Sequence, residues 1–227
     1  MIADKSKITI AIDGTAGVGK SSVGKAVALK YGISFLSTGQ MYRCLGWKVL
    51  DGGIDLNNET AVIKAAKDIV WGFERQADSS LKVLIDGHYL GNKLLLEETG
   101  RAASKVSAIP QARSIITQKQ KDLGAAGGIV MEGRDIGTVI CPQAPLKIYL
   151  TAAPEARAQR RVKQLEQEGQ KADYAEILAS IKSRDERDST RSVAPLKPAK
   201  DALIIDTSNM SLEEVISKVL EAASKLW

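Results

Sequence analysis

The chain has 227 residues, 44% hydrophobic and 26% charged, which is ordinary for a globular protein and excludes a disordered or fibrous one. A single domain of this length buries roughly 70% of its unfolded surface, so it needs neither disulfides nor metal to fold. The net charge of +5 points to anionic partners, but no Lys/Arg block and no basic run interleaved with aromatics occurs, which favours small phosphates over nucleic acid.

Read in chain order, KITIAI (7–12) is a short buried strand, and the Gly-rich GTAGVG after it leads into a helix over 20–31. ISFLS (33–37) is a weaker strand, followed by a helix through TGQMYRCLGWKVL. ETAVIKAAKDIV (59–70) has helical spacing, and GFERQ with LKVLIDG (81–87) suggests a small hairpin. EETGRAASKVSA and QARSIITQKQKDL are helices separated at Pro110. GIVME (128–132) and LKIYL (146–150) are compact and β-branched, as buried parallel strands are, and MEGRDIGT begins a loop after the first of them. A helix starts near Pro154 and stops at Gly169, and AEILASIKSRDERDSTR forms another. ALIID (202–206) is a last strand before the helix SLEEVISKVLEAASKL.

Strands alternating with helices predict an α/β protein with a parallel sheet covered on both faces. The stretch from about 53 to 98 breaks the alternation and is expected to be an inserted substructure. SVAPLKPAK (192–200) is too short to separate two domains, so one domain is expected. Cys44 and Cys141 fit no C-x-x-C pattern, and the single histidine, His88, rules out multi-His metal sites. The start, MIADKSK, lacks the apolar region of a signal peptide, and no run of about 18 apolar residues occurs; a cytoplasmic protein without a membrane partner is expected.

The sharpest motif is Gly14-Thr15-Ala16-Gly17-Val18-Gly19-Lys20-Ser21, which fits G-x-x-x-x-G-K-[ST] between a strand and a helix. Gly14 and Gly19 permit backbone angles that turn successive N–H groups toward an anion, and the helix from Lys20 adds its positive end. Lys20 can neutralise outer phosphates, and Ser21 can ligate Mg²⁺. The alternative dinucleotide fingerprint fails, because Ser22 occupies its third Gly position.

A phosphate loop alone leaves a kinase, a GTPase switch and a nucleotide-driven motor open. No D-x-x-G occurs, and N92-K-L-L95 has leucine where a guanine-reading carboxylate belongs. GIVME resembles the acidic strand end of a motor, yet it runs into GRD. The arginines favour a kinase. Thr38 and Arg43 start the helix after the second strand, and Arg134 ends the third. Arg157, Arg160 and Arg161 share one helical face, and Arg184, Arg187, Asp188 and Arg191 share another. In an open parallel sheet these elements converge beyond the strand ends, where positive charge can surround a transferring phosphoryl group. A bland alternative stands beside each, namely a wet helix face, an i,i+4 ion pair, or an N-cap at Thr38.

IDGTAGVGKSSVGKAVA, STGQMYR, AASKV, GRDIGTVICPQAPLKIYL, RAQRR, RDERDSTRSVAPL and DALIIDTSNMSLEEV follow one another in an order that resembles bacterial cytidylate (CMP/dCMP) kinases over nearly the whole chain. The resemblance implies a P-loop kinase three-layer fold with a five-stranded parallel core sheet (1–52, 99–168 and 174–227), an NMP-binding insert at about 53–98 and a small lid at about 157–173. It implies transfer of the ATP γ-phosphoryl group to CMP or dCMP with Mg²⁺, by a protein expected to be monomeric and to bind no nucleic acid. Gly14 to Ser22 would bind ATP. Arg43, Arg134 and Arg191 would hold the acceptor phosphate, with Thr38 nearby. Ser104, Arg113 and Asp135 would read cytosine, Arg184 and Asp188 would contact the sugar, and Arg157 and Arg161 would cover the transferring group from the lid. The chemistry fits: the cytosine amine is a donor suited to Asp135, while uracil would set a carbonyl against that carboxylate. A kinase for another acceptor such as UMP, or a regulatory ATPase, remains the alternative. The chain departs from the family pattern at Ser37, where aspartate is common, at Gln40 in place of alanine, at Thr15 in place of proline, and at Cys141-Pro-Gln143.

Overall fold

The computed structural model describes residues 4–226; the first three residues of the MIADKSK start and Trp227 lie outside the described residues. Five parallel strands form one sheet in the order β2 (Ser34–Ser37), β6 (Ile129–Gly133), β1 (Thr9–Gly14), β7 (Leu146–Thr151), β8 (Leu203–Asp206). β1 is buried along its whole length. Its side chains alternate between the two faces, as a pleated strand requires. Ala11 joins Leu36, Met131 and Ile116 in one core, while Ile10 and Ile12 join Val23, Val27 and Val219 in the other. The first core is covered by α2 (Gly39–Asp51), α3 (Glu59–Lys67), α4 (Glu97–Ala108) and α5 (Pro110–Ala126); the second is covered by α1 (Lys20–Tyr31) and α8 (Leu212–Ser224). The result is the three-layer α/β architecture that the alternation of elements predicts.

Between α3 and α4 the chain leaves this pattern and forms a separate antiparallel sheet of β3 (Trp71–Arg75), β4 (Leu81–Ile85) and β5 (His88–Tyr89). The third strand and a 3₁₀ turn at Gly91–Leu95 are additions to the expected hairpin. The tip of this sheet is fastened to the core. Phe35 N–H donates to Ser79 O at 2.8 Å, and Lys25 pairs with Asp78 at 3.0 Å. α3 is shorter than its periodicity suggests. It ends at Lys67 because Val70 exchanges hydrogen bonds with Asp86, its N–H bonding the carboxylate at 2.9 Å and its carbonyl accepting from the Asp86 N–H at 2.8 Å.

Two helices, α6 (Pro154–Gln167) and α7 (Tyr174–Thr190), pack against each other and are joined by an exposed turn at 168–173. The largest departure from expectation lies at MEGRDIGT. Rather than an open loop, Ile136–Ile140 is a single π-helical turn, in which the Asp135 carbonyl accepts from Val139 at 2.9 Å and Ile140 at 3.1 Å. Such turns are rare and recur at functional positions.

α2 and α4 cross closely, because Gly46 has no side chain. A Cβ there would lie 2.7 Å from the Ala103 nitrogen. Gly46→Val should therefore force the helices apart and cost about 1–3 kcal/mol of stability, read as a lower urea midpoint with little change in slope.

Candidate functional site

The carboxyl ends of β1, β2 and β6 meet at one place, since Asp13 is level with Gly133 and Ser37 is level with Glu132. The phosphate-loop candidate starts here. Gly14 has φ 147°, and a Cβ on it would lie 2.0 Å from the Leu150 carbonyl oxygen, so only glycine lets β1 pass β7 into the loop. Gly19, at φ 87°, enters α1 with no side chain capping the helix, which leaves the first-turn amides available to an anion. Val18 points into the core, while Gly17, Ser21 and Ser22 are exposed and Thr15 and Ala16 half-buried.

Lys20 is buried and reaches back to donate to the Thr15 carbonyl at 2.5 Å. Burial pushes its pKa down to about 7, Arg134 pushes the same way, and Glu132 opposes them. Glu132 and Asp13 attract it, yet among the described residues no carboxylate forms an ion pair with it, as suits a group that receives phosphate. Ser21 donates its hydroxyl to Glu132 Oε1 at 2.7 Å, and Glu132 is itself buried. Thr38 caps no helix with its side chain; its hydroxyl donates to the Glu132 carbonyl at 2.7 Å.

From Glu132 the chain runs directly into Gly133, Arg134 and Asp135. The two charged neighbours do not pair with each other. Arg134 Nε bonds Asp188 at 2.7 Å, whereas Asp135 takes a buried bond from Arg113 at 2.7 Å and lies 3.8 Å from Arg191. Arg113 also stacks over the Tyr42 ring at 5.5 Å. Arg191 donates through Nε to Ala194 O, while its buried Nη2 has no hydrogen-bond acceptor. Arg184 opens to solvent at the mouth of the cluster. The protein around it lowers its pKa first, followed by Arg134 and, more weakly, Arg43 and Arg187. Arg43 bonds the Leu94 carbonyl at 2.6 Å and lies beside Gly100, where a Cβ would come within 3.2 Å of its guanidinium. Ser104 is exposed one turn further along α4, on the same side.

The three α6 arginines separate. Arg157 is buried and bonds Ala152 O at 3.1 Å, the phosphate-loop carbonyl of Ala16 at 3.2 Å, and both oxygens of Asp185. Arg160 bonds Thr207 Oγ1 at 3.2 Å and the Thr207 carbonyl, and Arg161 is exposed and bonded to Gln164 at 2.9 Å. Ser37 and Gln40 line a cleft with Lys25, Asp78 and Tyr89 on the side of the small sheet. Residues the sequence reading passed over also belong to this neighbourhood, namely Tyr42 under Arg113, Asp185 against Arg157, and Asp13. A carboxylate among the apolar residues of TIAID was the available signal for Asp13. Burial raises its pKa to about 6 against the pull of two backbone amides, from Gly137 and Ile136.

Among the described residues, no group of three or more His, Cys, Asp or Glu gathers to hold a metal alone, and no helix is long and apolar enough to cross a membrane. What the site presents is an anion cradle beside a dense set of arginines and aspartates at the edge of a parallel sheet, which is the layout of a P-loop phosphotransferase. A profile of the cytidylate kinase family matches residues 10–225. The chain is 43% identical over 220 residues to the cytidylate kinase of Caldicellulosiruptor saccharolyticus, spanning 97% of each, and 40% identical over 215 residues to that of Pasteurella multocida, spanning 95% of this chain and 94% of the relative. An uncharacterised protein from Eubacterium ventriosum shares the fold at a TM-score of 0.52 and 15% identity, over 96% of this chain and 99% of that one. The chain belongs to the cytidylate kinase family.

The lowered pKa of Lys20 has a measurable sign. Between about 7 in the folded chain and 10.5 in the unfolded one, the unfolded state binds the extra proton, so raising the pH favours folding. Without nucleotide and in chelator, wild type should gain stability relative to Lys20→Met across that window, by up to about 1.4 kcal/mol per pH unit. Parallel denaturation curves at several pH values check this.

Proposed function

We propose that the protein is a nucleoside monophosphate kinase that transfers the γ-phosphoryl group of ATP to CMP or dCMP, giving CDP or dCDP. The observation that carries the reading is the Ser21–Glu132 bond of 2.7 Å. It joins the phosphate loop to the strand end whose next residues, Arg134 and Asp135, enter the arginine–aspartate cluster. Donor and acceptor would thus meet at neighbouring strand ends, as an in-line transfer needs.

In this reading the backbone from Gly14 to Ser22 cradles the ATP phosphates and Lys20 neutralises them. Ser21 and Glu132 supply oxygen ligands of the kind Mg²⁺ accepts, with Glu132 acting directly or through a water. The ion would add charge neutralisation at the phosphates. Arg43, Arg134 and Arg191 hold the acceptor phosphate, with Thr38 at its edge; Arg191 Nη2, 3.8 Å from Asp135 and without a hydrogen-bond acceptor, has donor capacity left for this. Asp135 accepts from the cytosine amine, and Arg113 and Ser104 donate to its carbonyl and ring nitrogen. Arg184 and Asp188 contact the sugar. Arg157 and Arg161 act from the lid at 157–173, Arg157 being already in contact with the phosphate loop at Ala16. Residues 53–98 serve as the NMP-binding insert. No side chain need act as a nucleophile, because the acceptor phosphate attacks and the protein orients it and stabilises charge. The expected setting is a cytoplasmic monomer whose partners are small nucleotides.

ADP release measured with CMP, dCMP, UMP and AMP tests the reading; a rate indifferent to all four would sink it. Lys20→Ala should depress turnover on every acceptor alike. Asp135→Ala should lower kcat/KM on CMP about 5- to 100-fold more than on UMP, since only cytosine loses an acceptor for its amine. Equal losses would count against base reading by Asp135.

A further inference from the structure

The reading above leaves Asp13 without a task, although it is the least expected charge in the molecule. It lies at the end of the central strand and is 3% exposed. Its two carboxylate oxygens accept from the backbone amides of Ile136 and Gly137, each at 2.7 Å. Those amides open the π-helical turn that follows Arg134 and Asp135. One side chain therefore connects the root of the phosphate loop, at Gly14, to the turn that carries the acceptor-facing residues. The surrounding groups do not explain it. Lys20 on α1 attracts Asp13 and Asp135 repels it. Tyr149 on β7 and Cys141 beyond the turn feel its charge without gaining from it. Lys147, whose stem lies against Gly137, pairs with Asp201 at 2.6 Å. A carboxylate taken out of water to meet two amides is costly unless those bonds are needed, and apolar packing would fill the space more cheaply.

At Gly137 a Cβ would lie 3.1 Å from Lys147 Cδ and in ordinary contact, 3.4 Å, with Asp13 Oδ2, so the carboxylate and the stem of Lys147 both pack on the turn. The phosphate loop has supports of its own, in the close contact of Gly14 with Leu150 and the bond from Arg157 to Ala16.

We propose that Asp13 is a positioning residue for the acceptor nucleotide: by holding the Ile136 and Gly137 amides it fixes how Arg134 and Asp135 leave β6, and so where the acceptor lies relative to the phosphate loop. The inference rests on the kinase reading of this site.

Asp13→Asn replaces one acceptor oxygen by an NH₂ group that faces a backbone donor. It should raise KM and Kd for CMP about 10- to 100-fold, while Kd for a non-hydrolysable ATP analogue stays within about threefold. A merely structural loss behaves differently, because a partly unfolded preparation lowers kcat in proportion and leaves both affinities unchanged. Asp13→Ala removes both acceptor oxygens without adding a misplaced donor and should show the same split, which keeps the test available if Asp13→Asn does not fold. Equal weakening of CMP and the ATP analogue, or unchanged CMP affinity in the folded variants, overturns the proposal. A wild-type chain that releases no ADP with any acceptor fails the kinase reading before a variant is compared.

Discussion

The passage of β1 between β6 and β7 is the constraint on which the site depends. Gly14 lies so close to the Leu150 carbonyl that no side chain fits, and the chain leaves the middle of the sheet straight into a loop of backbone donors. Because all five strands are parallel, their carboxyl ends lie on one edge. The neighbours of β1 therefore place Glu132, Arg134 and Asp135 beside that loop. An antiparallel arrangement of the same strands would send half of these ends to the far side of the molecule.

A second consequence is electrostatic. Burial lowers the pKa of both Lys20 and Arg184; Arg134 adds to the effect on each, and Arg184 adds to that on Lys20. Asp188 opposes the shift of Arg184, and Asp135 and Asp188 are each bonded to an arginine. A nucleotide entering with its phosphates would relieve the repulsion and replace partners already in place. These ion pairs hold the arginines together at the strand ends, where the proposed acceptor phosphate would meet them. In the proposed reaction the energy of binding would then go less into ordering side chains and more into the reacting geometry.

Much of this was legible in the residues. The alternation of apolar strands with amphipathic helices yields the three-layer sheet, and the Gly-x₄-Gly-Lys-Ser spacing yields the anion cradle, because both depend on periodicities of two, of about 3.6, or on single turn residues. The split between Arg134 and Asp135 does not come from strand alternation, because β6 ends at Gly133 and both residues lie in the bend before the π-helical turn. The end of α3 at Lys67 was hidden, since its cause is Asp86, distant in sequence. The π-helical turn at 136–140 was hidden too, because its amides are held by Asp13 across the sheet.

The sequence by itself determined the fold class, the phosphate loop and which side chains have the chemistry to meet a nucleotide. Only the tertiary structure decided how they pair: Arg113 with Asp135, Arg134 with Asp188, Arg157 with Asp185 and Ala16, and Asp13 with the Ile136 and Gly137 amides. Local pattern follows from backbone geometry within a few residues. A partner some 20, 50 or 120 positions away follows from strand order and register, which the packing of the whole sheet sets.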